Sequence, residues 1–277
     1  CYRRHGCCGC CGKARCGCIV GPCVGAASDG RNAEAPSVPE PFLIRYLQPL
    51  LAGRRAECFD LVSEALQNGV GAEELICDVV WPAMAQIERL FRDDRINTAA
   101  EHLACRINRT VADQLQAHLP KRPRHGKRVI VACADGPHEE LGAQMVGDLF
   151  QSEGWEVFFV GGGVPDDEVL AMVGQLRPEV LLIFGAEPEA VPNTRAMIER
   201  IRDVGTCPTM NIVVIGGIFN RAEGLWREIG ADACCDTPRG ALATADSLGP
   251  RVAHAPRVGL VKKRRRRRKN APAPVPV

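Results

Sequence analysis

The stretch Val129-Ile-Val-Ala-Cys-Ala-Asp-Gly-Pro-His-Glu-Glu-Leu-Gly142 decides how the chain is read. Its opening residues, through Cys133, form an apolar run rich in β-branched side chains. Such a run suits a strand covered on both faces. Asp135, Gly136 and Pro137 break it. From His138 onward, Leu141, Met145, Val146, Leu149 and Phe150 recur at three- and four-residue spacing, which predicts a helix. In an open parallel sheet, ligands bind outside the carboxyl ends of the strands. The loop at this strand end carries an acid, an imidazole and two more carboxylates, so it is the expected working edge.

The alternation continues outward from this unit. Strands are predicted at 128–133, 156–160, 180–184, 212–215 and, weakly, 233–235. Helices are predicted near 139–153, 166–176, 193–204, 221–229 and 239–246. Strands joined by helical crossovers must pair in parallel, because each crossover returns the chain to the same end. The expectation for 126–248 is an α/β domain: a doubly wound five-stranded parallel sheet in flavodoxin-like order.

Upstream, 38–119 reads as all-helical. Phe42, Leu43, Tyr46, Leu47, Leu50 and Leu51 mark one apolar face; Cys58, Phe59, Leu61, Val62, Ala65 and Leu66 mark a second. A third helix runs from about Ala72 to Phe91. Asn97 has the character of an N-cap for a fourth, with Ala104, Ile107, Val111 and Leu115 inward. Short connections between four helices predict a bundle. Pro120 to Gly126, rich in proline and charge, is the linker.

The flanks differ in composition. Eight of the fifteen cysteines lie in the first 23 residues, and 1–37 reads as a disordered Cys-rich leader. The Cys7 to Cys10 spacing lacks the second, separated pair that a zinc site needs. The tail, 250–277, is basic, Pro-rich and expected to be disordered. Its run Lys262 to Lys269 holds eight consecutive cations; taking those eight from 35 leaves 27 bases against 33 acids. The body is therefore net acidic, and nucleic acid is an expected partner only through this tail. No apolar run of about 18 residues and no secretory signal is present, so no membrane span is expected and a cytoplasmic location is. The cysteines outside the leader fall mostly on apolar faces, which fits a reducing compartment.

Three further loops fall at the carboxyl edge: Gly161-Gly-Gly-Val-Pro165, Gly185-Ala-Glu-Pro-Glu189 and Gly216-Gly-Ile-Phe-Asn220. Glycines at successive strand ends let a bulky ligand approach the backbone; one such loop alone would signify only a tight turn. No nucleophile elbow, phosphate-binding loop or His-Glu-x-x-His stretch occurs. No catalytic residue is assigned, and an enzyme acting alone is not expected.

Taken together, residues 40–247 resemble the cobalamin-binding module of methionine synthases, corrinoid carrier proteins and light-sensing cobalamin-dependent repressors. The resemblance lies in Leu141-Gly-Ala-Gln-Met-Val146 followed by Glu153-Gly-Trp-Glu-Val157. It continues in Gly161 with Val164-Pro165, and in Gly216-Gly217 with Ile229-Gly-Ala-Asp232. In the helical part, Pro82 and Phe91 to Glu101-His102 are similar to the cap; the repressors place an aromatic residue ten positions before the Glu-His pair. The resemblance implies a cobalt corrinoid held between the cap and the sheet domain, with its nucleotide tail in the latter. It implies cofactor contacts from Asp135, His138, Glu139, Gly142, Gly161, Gly185, Gly216 and Gly217 below, and from Phe91, Glu101 and His102 above.

Two departures stand out. The family's Asp-x-His-x-x-Gly pattern, aligned on Gly142, puts Glu139 at the position of the cobalt-binding His, and His138 falls one residue early. His138 is the metal ligand if the loop shifts; otherwise water or a carboxylate stands below the cobalt. The family's Ser-x-Leu segment is replaced by Phe184-Gly-Ala, which narrows the tail pocket. The resemblance implies a regulatory or sensory cobalamin-binding protein working with a transcription regulator, or a methyl carrier working with a methyltransferase, or a module of this fold that no longer holds corrinoid.

Overall fold

A computed structural model describes residues 40–134 and 140–252. The leader, the tail and the loop bearing Asp135, His138 and Glu139 lie outside these. The helical part comprises α1 (Glu40–Leu51), α2 (Arg55–Gln67), α3 (Ala72–Leu75), α4 (Trp81–Arg92) and α5 (Thr98–Gln116). A π turn, Ile76–Val80, joins α3 to α4 without a break. Its cause is local: Pro82 has no N–H to donate, and its ring would collide with the carbonyl four residues back in a regular helix. The π turn widens the spiral there, and the Trp81 N–H donates to the Ile76 carbonyl, five residues back. Asn97 caps α5, its side-chain oxygen accepting from Ala100 N at 2.9 Å. Tyr46, Leu50, Leu75, Ile87 and Leu115 are fully buried at the centre of the bundle.

The second part alternates strand and helix: β1 (Arg128–Cys133), α6 (Glu140–Ser152), β2 (Glu156–Gly161), α7 (Asp166–Leu176), β3 (Val180–Phe184), α8 (Ala190–Val204) and β4 (Asn211–Ile215). It ends with α9 (Gly217–Arg221), α10 (Leu225–Glu228), β5 (Ala233–Cys235) and α11 (Pro238–Ser247). All strand pairs are parallel, in the order β2-β1-β3-β4-β5. This is the expected flavodoxin-like fold. One helix was expected over 221–229; the chain instead forms two short ones, because Gly224 between them has φ +79° and breaks the right-handed run.

Strand side chains alternate between two interiors. Val129, Val131, Cys133, Val180, Leu182 and Phe184 face the side covered by α6 and α11; Ile130, Ala132, Leu181 and Ile183 face α7 and α8. Helix α6 is shared by both parts of the molecule. Its Ala143, Val146 and Phe150 pack on the sheet, while Leu141, Met145 and Leu149 complete the core of the helical cap.

Polar contacts seal the same seam. Gln116 Nε2 donates to Asp148 Oδ1 at 2.6 Å, and Gln144 Nε2 to Asp113 Oδ1 at 2.8 Å. Arg239 on α11 pairs with Glu73 (3.0 Å) and Asp78 (2.8 Å) of the cap. Burial pushes the Asp148 carboxyl up to about 6, with the neighbouring Asp113 charge adding to it and the Gln116 bond opposing. The fold therefore prefers the protonated acid. Stability should rise as pH falls through about 6 and level off below the unfolded-state value, 3.8. Asp148→Asn keeps the acceptor for Gln116. It is expected to stabilise the protein at pH 8 by about 1–3 kcal/mol and to remove this pH dependence, read from urea midpoints at pH 8 and 5.

Candidate functional site

A cavity of about 680 Å³ opens between the cap and the carboxyl edge of the sheet. Two helix stripes roof it. Helix α4 presents Trp81, Met84, Glu88 and Phe91, and α5 presents Thr98, Glu101, His102 and Cys105. Each stripe repeats every three to four residues, which places its members on one face of the helix. Leu141, Phe184, Ala186 and Gly216-Gly217 form the floor. The π turn sits immediately before Trp81, whose ring meets Phe184 edge-on at 6.3 Å between centroids.

Of the residues singled out in the sequence, Phe91, Glu101, His102, Gly216 and Gly217 come together around this slot. Phe91 is 42% exposed, unusual for a large aromatic within a bundle, because its ring borders the cavity. Gly142 lies under the floor, where a Cβ would collide with the Phe184 ring. Gly161 and Gly185 are not among the lining residues. Gly161 packs against Glu140, whose Oε1 accepts from Gly162 N at 2.7 Å, and Gly185 packs against the Phe219 ring. Asp135, His138 and Glu139 lie outside the described residues.

Several residues in or beside the slot were not singled out from sequence. Arg221 of α9 pairs with Glu88 of the cap and also donates from Nη2 to the Ala186 carbonyl at 2.8 Å. Glu88 accepts in addition from Arg92 Nη1 at 3.1 Å. This cluster ties the cap to the sheet rim at the mouth of the slot. On α5, the Cys105 thiol donates to Glu101 Oε1 at 3.0 Å, and His102 Nε2 lies 3.5 Å from Glu101 Oε2. One carboxylate thus stands between an imidazole and a thiol. Cys105 and Glu88 were discoverable as residues one turn from Glu101 and Phe91 on the same faces. The Glu88–Arg221 pair, 133 residues apart, has no local signal.

The arrangement suits a flat, mostly apolar ligand with a few polar groups at its edge. Among the described residues no cluster of three or more His, Cys, Asp or Glu side chains could hold a bare metal ion, and no helix is long and apolar enough to cross a membrane.

Known proteins resemble this chain in both of its parts. Two family models, each described as a B12 binding domain, match residues 44–116 and 127–245. The HTH-type transcriptional repressor CarA of Myxococcus xanthus is 29% identical over 128 residues, which span 46% of this chain but only 43% of the repressor. Dimethylamine corrinoid protein 3 of Methanosarcina acetivorans is 25% identical over 211 residues, 76% of this chain and 97% of that protein. The solved monomethylamine corrinoid protein of Methanosarcina barkeri superposes with a TM-score of 0.67 at 17% identity, over 75% of this chain and 99% of its own, and so shares the fold.

Proposed function

The chain carries the two-part cobalamin-binding module, a helical cap followed by a Rossmann-like domain, with cobalamin as its cofactor, and from that premise we propose that it is a sensory or regulatory protein responding to the state of the bound corrinoid. The residues fit such a group. Trp81 and Phe91 offer aromatic surface to a flat ring, and Gly216-Gly217 brings backbone without a side chain to its rim. The room beneath is closed, since Phe184 packs directly on the backbone of Gly142.

Bound there, a corrinoid would supply a cobalt centre able to exchange a ligand. The chain's own residues do the rest. Glu101 and His102 stand on the cap side of the slot and sense what occupies that face. Arg221, Glu88 and the α5–α6 contacts hold the cap down and exclude water. The observation that carries the reading is this donor set on a closed cap: Glu101 bonded to Cys105 and beside His102, over a slot bridged by Glu88–Arg221. A transcription regulator is the partner this reading calls for. Among the relatives, the repressor supports it.

The rival reading, a methyl carrier serving a methyltransferase, draws on the near-complete coverage of a dimethylamine corrinoid protein. A carrier must uncover the upper face to its partner enzyme, which the bridging ion pairs oppose. Titration of the full chain with hydroxocobalamin tests the common premise; protein that stays colourless after gel filtration defeats both. Limited proteolysis then separates them. Under the sensory reading, exchanging the upper ligand alters cleavage at the 93–97 turn between α4 and α5, and His102→Ala reduces that difference at least about fivefold. Identical digestion of hydroxo- and methylcobalamin forms would leave the carrier reading in possession.

A further inference from the structure

We propose that Cys105 is the cap-side ligand of the cobalt, a reading that rests on the corrinoid occupying the slot described above. Three donors share the α5 stripe at this point. His102 is the most open, with its side chain 64% exposed, while Glu101 is 21% exposed. Cys105 is half-buried, packed on one side against the cap core and bordering the slot on the other. Of the three it is the soft donor, and it sits one helical turn further along the slot than Glu101. A thiolate, not a thiol, binds metal, and coordination drives that proton off. The acceptor is already in contact: Glu101 Oε1 receives the thiol hydrogen bond at 3.0 Å.

The step balances without an external reagent. The sulfur–cobalt(III) bond forms, the water carried by the cobalt leaves, and the thiol proton passes to Glu101. Neither sulfur nor cobalt changes oxidation state. A bound corrinoid would then be fixed from the cap through α5, the helix that also hydrogen-bonds α6 through Gln116 and Asp113.

The test loads the full chain with hydroxocobalamin in thiol-free buffer and reads cobalt-edge X-ray absorption together with the visible spectrum. A sulfur scatterer is expected in the wild type and is expected to vanish from the corrinoid that Cys105→Ser retains, read per bound cobalt. A wild-type chain that is coloured but has only nitrogen and oxygen around cobalt overturns the proposal, and this measurement does not depend on any variant folding. Loss of the wild-type spectrum in His102→Ala with none in Cys105→Ser overturns it too. A wild-type chain that takes up no corrinoid defeats the corrinoid reading itself, a distinguishable failure.

Discussion

Gly216→Ala is expected to lower stability by about 3–5 kcal/mol and to abolish corrinoid uptake. Gly216 has φ +123° and ψ 169°, a region open essentially to glycine alone. Its added methyl would also collide with the Gly185 carbonyl across the β3–β4 rim. Backbone strain of about 1–3 kcal/mol and overpacking of a similar size act at one point. The adjacent Gly217→Ala is the internal control. Its methyl would approach Arg221 Nη1 (2.8 Å) and Glu88 Oε2 (2.9 Å), both ends of flexible side chains that can swing aside. Its expected cost is under about 1 kcal/mol. Urea midpoints measure the first difference, and retention of hydroxocobalamin on gel filtration measures the second. Equal midpoints for the two variants would contradict the account of the rim.

Phe184→Ser has the second large effect, and its two consequences run in opposite directions. The ring is 5% exposed, lies on the backbone at Gly142 and meets Trp81. Removing it leaves a hole that the rigid helix backbone cannot fill, at a cost of roughly 3 kcal/mol or more. The same hole lies below the slot, where the family resemblance puts the nucleotide tail. The wild type is therefore expected to take cobinamide, a corrinoid without that tail, about as well as cobalamin. The variant should gain a preference for cobalamin of about tenfold, equivalent to about 1.4 kcal/mol. Paired spectroscopic titrations give both constants. A wild type that already strongly prefers cobalamin would show that Phe184 does not close the tail's route.

The elements were legible where chemistry is local. The β-branched runs of β1, β3 and β4 announce strands buried on both sides, and these strands lie at the centre of the sheet. The π turn was not legible, because Leu75, Ile76, Val79, Val80, Met84 and Ile87 keep the same apolar rhythm with or without one extra residue in the turn. The break at Gly224 was hidden similarly, since apolar spacing continues across it. For the candidate site, the family resemblance pointed to Phe91, Glu101 and His102, and all three border the cavity. Trp81 is aimed at the slot by a helix irregularity that periodicity does not record. Arg221 and Glu88 meet only because a β-sheet and a bundle are stacked, and sequence spacing carries no trace of that.

Helix α6 leaves the two halves of this molecule without a neutral hinge. Each half uses one flank of it as a wall, so neither retains a complete interior once the other has gone. Lid and platform are accordingly bound to a common fate: they melt as a unit, and a cargo that steadies one steadies both.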